Sequence, residues 1–279
     1  MIKILCTLLL PDSGDAWIQG FHVVKEAEEV KPLISFVPAT AWYIFDYKLS
    51  AWDNLWYYAT LYGVKDKKER IRNALDFVGL SGRERETIQS LSSGMRQRLV
   101  IAKGLLPSVP IMFMDEPTIG IDPQGAQSIR VLIQQMSRRE GQTIFFTTHY
   151  LHEAEMLCNR VAILSHGRIL AVETPEKLKA GLQSQRIYLI QVVNISQHLK
   201  DHLLNIKGVT KGNFTVLDSA IGKADIRIHI EADDALDEVV SAIRKEGVVI
   251  KSVHRVKPTL EDAYLSIASE GGSKWETMT

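Results

Sequence analysis

Leu91-Ser92-Ser93-Gly94-Met95-Arg96-Gln97-Arg98 is followed by Ile111-Met112-Phe113-Met114-Asp115-Glu116-Pro117, then by Gly120-Ile121-Asp122-Pro123, and then by Thr143-Ile144-Phe145-Phe146-Thr147-Thr148-His149. The order of these blocks decides the fold. An apolar run that ends in Asp115 and Glu116 reads as a strand buried on both faces of a parallel sheet. Thr143 to Thr148, β-branched and aromatic, reads as a second buried strand. Ligands of open parallel sheets bind beyond the carboxyl ends of the strands, which is where Asp115, Glu116 and His149 fall. Upstream, Ser92 is a good helix cap, Gly94 permits close backbone approach, and Arg98 to Leu105 reads helical.

Each block has a chemical reading and a plainer one. Asp115 suits the water shell of a Mg²⁺ ion, which takes few carboxylates and keeps its waters. Glu116 suits the orientation or deprotonation of an attacking water. A helix that starts on small residues offers free N–H groups and a positive dipole end to an anion such as a terminal phosphate. His149 could hydrogen-bond that phosphate. The plainer readings are two solvated acids, an ordinary capped helix, a structural histidine and, for Asp122, a turn residue or helix cap. The ordered succession of all four weighs against them.

Together these blocks resemble the ATPase subunit of ABC transporters. Leu91–Met95 resembles the signature motif, with Ser93 where glycine is usual and Met95 where glutamine is usual. Ile111–Glu116 resembles the Walker B strand with its catalytic glutamate, Gly120–Pro123 the D-loop, and His149 the switch histidine. The resemblance implies an α/β, P-loop NTPase-like ABC ATPase core over residues 1–182 that uses ATP and Mg²⁺. It implies Glu116 and His149 as catalytic residues and Asp115 as the metal holder. Ser92, Ser93, Gly94, Met95 and Asp122 would meet the nucleotide of an opposite subunit, because in that family two subunits, as homodimer or heterodimer, sandwich two ATP molecules. A membrane-spanning permease is the implied partner, and the cytoplasmic face of the cell membrane the implied location.

Two departures stand beside the resemblance. No G-x-x-x-x-G-K-[ST] stretch, whose backbone N–H groups and lysine cradle phosphates, occurs in the 279 residues. In the family that loop immediately precedes the helix that Met1–Leu10 resembles, so the core is expected to be amino-terminally truncated and inactive alone. The alternative is a non-catalytic partner that lends its signature helix to a complete ATPase. The second departure is Val37-Pro38-Ala39-Thr40 where the family carries its Q-loop glutamine; this puts Mg²⁺ coupling in question.

The 33 basic and 33 acidic residues cancel, which gives no electrostatic reason to expect nucleic acid. A DNA-associated ABC-type ATPase is further disfavoured because no long heptad arm interrupts Ala39 to Ser92. Cys6 and Cys158 lack metal-ligand or CxxC spacing and fit a reducing compartment. No apolar run is long enough to span a bilayer. The apolar start is short and followed by acidic Pro11–Asp15, so it is not read as a signal peptide.

Along the chain, residues 1–10 read as the end of a buried helix, Asp15–Gly20 as a short strand, Val23–Pro32 as a charged connector and Leu33–Val37 as a strand. A helical subdomain is expected over about 48–106, with helices at Asp53–Gly63 and Lys65–Val78 and a dense aromatic cluster (Trp42, Tyr43, Phe45, Tyr47, Trp52, Trp56, Tyr57, Tyr58, Tyr62) serving as core or contact surface. Arg96, Arg98, Arg138 and Arg139 read as a solvated helix face, and His152 and His166 as surface residues. A hairpin turns at His166-Gly167, and Thr174-Pro175 starts a short helix. After a break at Gly181–Gln185, residues 186–268 carry the order βαββαβ of a small α+β, ferredoxin-like domain, with a polar tail at 269–279. This half resembles the accessory domain of multidrug-resistance-type ABC exporters, including Lys257-Pro258-Thr259-Leu260-Glu261-Asp262.

Overall fold

The computed structural model describes residues 1–39, 44–138, 141–182, 186–195 and 198–276, apart from the side chains of 269–276. Thr40, Trp42, Tyr43, Arg139 and part of the Gly181–Gln185 break therefore lie outside the described residues. Contacts divide the chain into Met1–Glu153 and Ala154–Thr279. The sequence places its boundary later, at 182–186; by contacts, the hairpin and the short helix before that break group with the carboxyl-terminal unit. Among the described residues no helix is long and apolar enough to cross a membrane.

The first unit runs α1 (Ile2–Leu5), β1 (Trp17–Ile18), β2 (Phe21–His22), α2 (Ala27–Val30), β3 (Ile34–Val37), α3 (Ala51–Leu61), α4 (Lys67–Phe77), α5 (Ser93–Leu105), β4 (Ile111–Asp115), α6 (Pro123–Ser137) and β5 (Thr143–Thr147). Three parallel strands form its sheet in the order β3-β4-β5, with Phe36 opposite Phe113 and Phe113 opposite Phe145. The strand period of two sorts the side chains by face. Ile111 and Phe113 join Ile34 and Phe36 against α1, the β1–β2 pair and Val30. On the other face α5 packs against β3, and Gly104 comes so close that a Cβ there would lie 3.0 Å from Val37 Cγ2 and 3.4 Å from Met112 Cε. Met112 and Met114 are fully buried. At about 1.5–3 kcal/mol for each large apolar side chain removed from water, this two-sided burial holds the strands in place.

The expected helix over residues 1–10 is shorter than its apolar composition suggests. It ends at Leu5, because Thr7 adopts a left-handed φ of 59°, and Leu8, Leu9 and Leu10 are exposed. The two adjoining helices match their apolar spacing: Ile71, Leu75 and Val78 are buried, while Trp56 and Tyr57 on α3 face outward. Arg98 departs from its expected role. Instead of facing solvent, it donates from Nη1 to the carbonyls of Val78 and Gly79, and so satisfies the end of α4.

α7 (Leu151–Leu157) crosses the division between the units. The second unit contains the antiparallel pair β6 (Val161–Ser165) and β7 (Arg168–Glu173), then α8 (Pro175–Ala180), capped by Thr174. β8 (Arg186–Val193), α9 (Leu199–Leu204), β9 (Val209–Asp218), β10 (Lys223–Ile230), α10 (Asp234–Lys245) and β11 (Val249–Val256) follow. The last four strands make an antiparallel sheet in the order β11-β8-β10-β9. That order is the ferredoxin-like arrangement of a βαββαβ chain. Ile190, Ile226 and Ile228 pack with Leu203, Val239 and Ile243 of α9 and α10 in an apolar core. α11 (Leu260–Glu276) continues past Ile267, through the stretch that composition marks as a polar tail. No proline interrupts that stretch, and a helix satisfies its own backbone without burial.

Candidate functional site

The carboxyl ends of β4 and β5 lie side by side, Asp115 opposite Thr147. Thr147 Oγ1 donates to Asp115 Oδ1 at 2.7 Å. The Glu116 amide lies 3.2 Å from both the carbonyl oxygen and Oγ1 of Thr147. One threonine therefore orients the first carboxylate and fixes the backbone of the second. Glu116 itself sits at φ 46°, in the left-handed region that residues other than glycine seldom adopt. Such a conformation costs of order 1–3 kcal/mol and persists only where the surroundings impose it. It turns the Glu116 side chain so that Oε2 lies 2.8 Å from His149 Nδ1 and 3.4 Å from the His149 amide. Glu116 is 24% exposed and His149 53% exposed, so the pair faces solvent at the sheet rim.

This arrangement has specific chemical capacities. A half-buried aspartate with one oxygen already oriented is a good outer partner for a hydrated divalent ion, since Mg²⁺ uses one or two carboxylates and keeps its waters. A glutamate beside an imidazole can accept a proton from a water placed between it and a phosphate. These residues fit the metal and water side of such a site. The G-x-x-x-x-G-K-[ST] motif that would cradle a triphosphate does not occur in the sequence.

A second group forms at the starts of two helices. Ser92 Oγ accepts from Met95 N at 3.2 Å and caps α5; Asp122 Oδ1 accepts from Gly125 N at 2.9 Å and caps α6, whose first residue is Pro123. Ser92, Ser93 and Asp122 are exposed, whereas Gly94 is buried. A Cβ on Gly94 would meet Gly125 Cα and Ile121 Cγ2 at 3.5 Å, so the two helix starts touch backbone to backbone. The structure thus gathers Asp115, Glu116 and His149 in one group and Ser92, Ser93, Gly94, Met95 and Asp122 in another.

Four residues of the site escape sequence reasoning. Thr147 could have been noticed as a hydroxyl opposite the carboxylate strand. Glu153, Thr118 and Arg130 leave no such trace. Glu153 is 2% exposed; its Oε2 accepts from Thr118 Oγ1 at 2.9 Å and from Thr148 Oγ1 at 3.1 Å, and its Oε1 from Arg130 Nη1 at 2.9 Å.

Comparison with known proteins identifies the family. The sequence profile of the family described as ABC transporter matches residues 1–119. The daunorubicin resistance ATP-binding protein DrrA3 of Streptomyces coeruleorubidus is 30% identical over 272 residues, covering 97% of this chain and 83% of that protein. The linearmycin resistance ATP-binding protein of Bacillus subtilis (strain 168) is 29% identical over 273 residues, covering 95% and 84%. The structure of cbiO1 from Clostridium perfringens, part of the ABC transporter complex cbiONQ, superposes with a TM-score of 0.58 at 24% identity over 64% of this chain and 73% of that one, and shares its fold. The chain belongs to the ATP-binding subunits of ABC transporters, a family of ATP-hydrolysing proteins that power a separate membrane subunit.

Proposed function

We propose that this chain serves an exporter of the drug-resistance type, docked on the cytoplasmic face of the membrane beneath its permease and paired with a second ATP-binding subunit. The relatives named for daunorubicin and linearmycin resistance support export of compounds of that kind. In this reading Asp115 would hold Mg²⁺, which would supply positive charge to the phosphates when bound. Glu116 orients the attacking water and takes its proton. His149 bonds the terminal phosphate and keeps Glu116 turned toward it. Ser92, Ser93, Gly94, Met95 and Asp122 face the nucleotide held by the opposite subunit, where the α5 N-terminus offers N–H groups to phosphate. The ATPase domain is taken as residues 1–182 and the accessory domain as 186–268.

The observation that carries the proposal is the strained Glu116, held at φ 46° with its carboxylate 2.8 Å from His149 Nδ1. A second reading has its own support. The sequence has no phosphate-cradling motif, yet the exposed Ser92 and Ser93 open a well-capped helix, so the chain can complete the site of a partner that holds ATP. One experiment separates the two. Mg-ATP hydrolysis is measured for the chain alone and mixed with a complete ATP-binding relative. E116Q is expected to lower turnover by about 10²–10⁴-fold at the site this chain supplies. Undiminished turnover in E116Q removes Glu116 as the base. Hydrolysis that appears only in the mixture and is lost with S93W, a change at an exposed position of the same helix start, assigns the chain the lending role.

A further inference from the structure

Glu153 is a buried acid of the first unit outside the Asp115–Glu116 pair. Its side chain is 3% exposed, and it meets three separate segments: Thr118, two residues after Glu116; Thr148, immediately before His149; and Arg130, in the middle of α6. Thr118 is itself 3% exposed. Thr148 Oγ1, besides donating to Glu153, accepts from Tyr150 N at 3.0 Å, so the turn carrying His149 is tied down on both sides of the imidazole. A buried carboxylate that receives charge-assisted bonds holds its partners more firmly than neutral pairs do.

We propose that Glu153 is a positioning residue that fixes the Glu116 loop and the His149 turn in one register, and that it anchors both to α6, the helix that begins at Asp122. Glu153 does not touch the reacting atoms; it acts through Thr118 and Thr148. Without it, each loop keeps its local hydrogen bonds and the two lose their common tether. Because α6 starts against α5 at Gly125 and Gly94, the same carboxylate links the Glu116–His149 pair to the two exposed helix starts. The inference rests on the proposed roles of Glu116 and His149 for its functional meaning, but its geometry can be tested without nucleotide.

The test uses the full chain, labelled with ¹³C at histidine Cε1, with the His149 resonance assigned by H149Q. At fixed pH, E116Q displaces the His149 resonance through the direct contact. E153Q keeps the side-chain shape and removes the charge, and it is expected to displace the resonance in the same direction by most of that amount. T118V removes one bond to Glu153, and T148V removes one together with the acceptor of Tyr150 N; both leave Glu153 in place and are expected to give smaller displacements. An unmoved His149 resonance in a folded E153Q overturns the proposal and leaves Glu153 a stabiliser only. Should E153Q not fold, an unmoved resonance in both T118V and T148V overturns it equally. Hydrolysis measured with E116Q reports on the catalytic reading separately, so either can fail while the other stands.

Discussion

Thr147 Oγ1 donates to Asp115 Oδ1 at 2.7 Å across β5 and β4, and the same oxygen lies 3.2 Å from the Glu116 amide. One hydroxyl thus serves the carboxylate and the strained residue beside it. T147V keeps the β-branched shape and removes the hydroxyl, leaving a part-buried carboxylate oxygen with one donor fewer. The expected loss is about 1–3 kcal/mol, read from urea unfolding, with T147S close to wild type. A T147V chain as stable as wild type would show that the bond is replaced by water.

Gly125 predicts a sharper steric effect. A Cβ there would lie 2.6 Å from Ile121 Cγ2 and 3.1 Å from Asp122 Oδ2. G125A must therefore shift the turn before α6, disturb the Asp122 cap and part the α5 and α6 starts. We expect a loss of about 1–3 kcal/mol from overpacking and faster exchange of the amide at position 125. G104A, whose nearest clash is a single Val37 methyl at 3.0 Å, should cost less. Equal melting temperatures for G125A and wild type would contradict the close approach.

How far sequence carries is clear from particular residues. The β4 and β5 strands, the Ser92 cap and the βαββαβ order are legible because periodicity, β-branching and cap chemistry are local. α6 was legible in principle: Asp122-Pro123 is a cap and first-turn signal, and Ile129, Leu132, Ile133 and Met136 recur on one buried face. The role of Glu153 was not, since nothing local says that an acid at that position will be buried against residues 35 and 23 positions away. Arg98 misleads for the same reason: the carbonyls it satisfies belong to another helix, 19 and 20 residues earlier. The end of α1 at Leu5 depends on one backbone angle at Thr7, which an apolar run does not announce.

Lys103 gives a pH test. The residue is 8% exposed; its ammonium lies 3.4 Å from the Phe36 carbonyl and 5.2 Å from the Tyr58 ring centroid, beside a cavity of about 470 Å³. Burial pushes its pKa down to about 8. The unfolded chain holds this proton up to the ordinary lysine range near 10.4, so between those values the unfolded state binds more protons and stability rises with pH. The burden of the buried charge is fully present below pH 8 and amounts to about 3 kcal/mol. K103M should remove the rise between pH 8 and 10 seen by urea unfolding. An identical pH slope in both proteins would place the amine in water.

Asp262 tests the second unit with the opposite sign. It accepts from Arg227 Nε at 3.0 Å and Nη2 at 2.7 Å, from His229 Nε2 at 3.2 Å, and from Thr259 N at 2.7 Å and Oγ1 at 2.8 Å. Burial alone would raise its pKa, but the bonds from His229, Arg227 and Thr259 outweigh it and hold the carboxyl well below the usual aspartate range. A depressed folded pKa means that its stabilisation is complete above the unfolded value near 3.9 and is lost as pH falls below that value. D262N leaves Arg227 without its carboxylate and weakens the bonds from Thr259 at the start of α11, so the expected loss at neutral pH is about 3–5 kcal/mol. The measurement is amide exchange in β8 and β10, which reports on this sheet alone. Wild-type protection should fall from about pH 4 downward, while D262N should be weakly protected at every pH with no added acid sensitivity. Parallel pH curves for the two proteins would show that the carboxylate is not the titrating group.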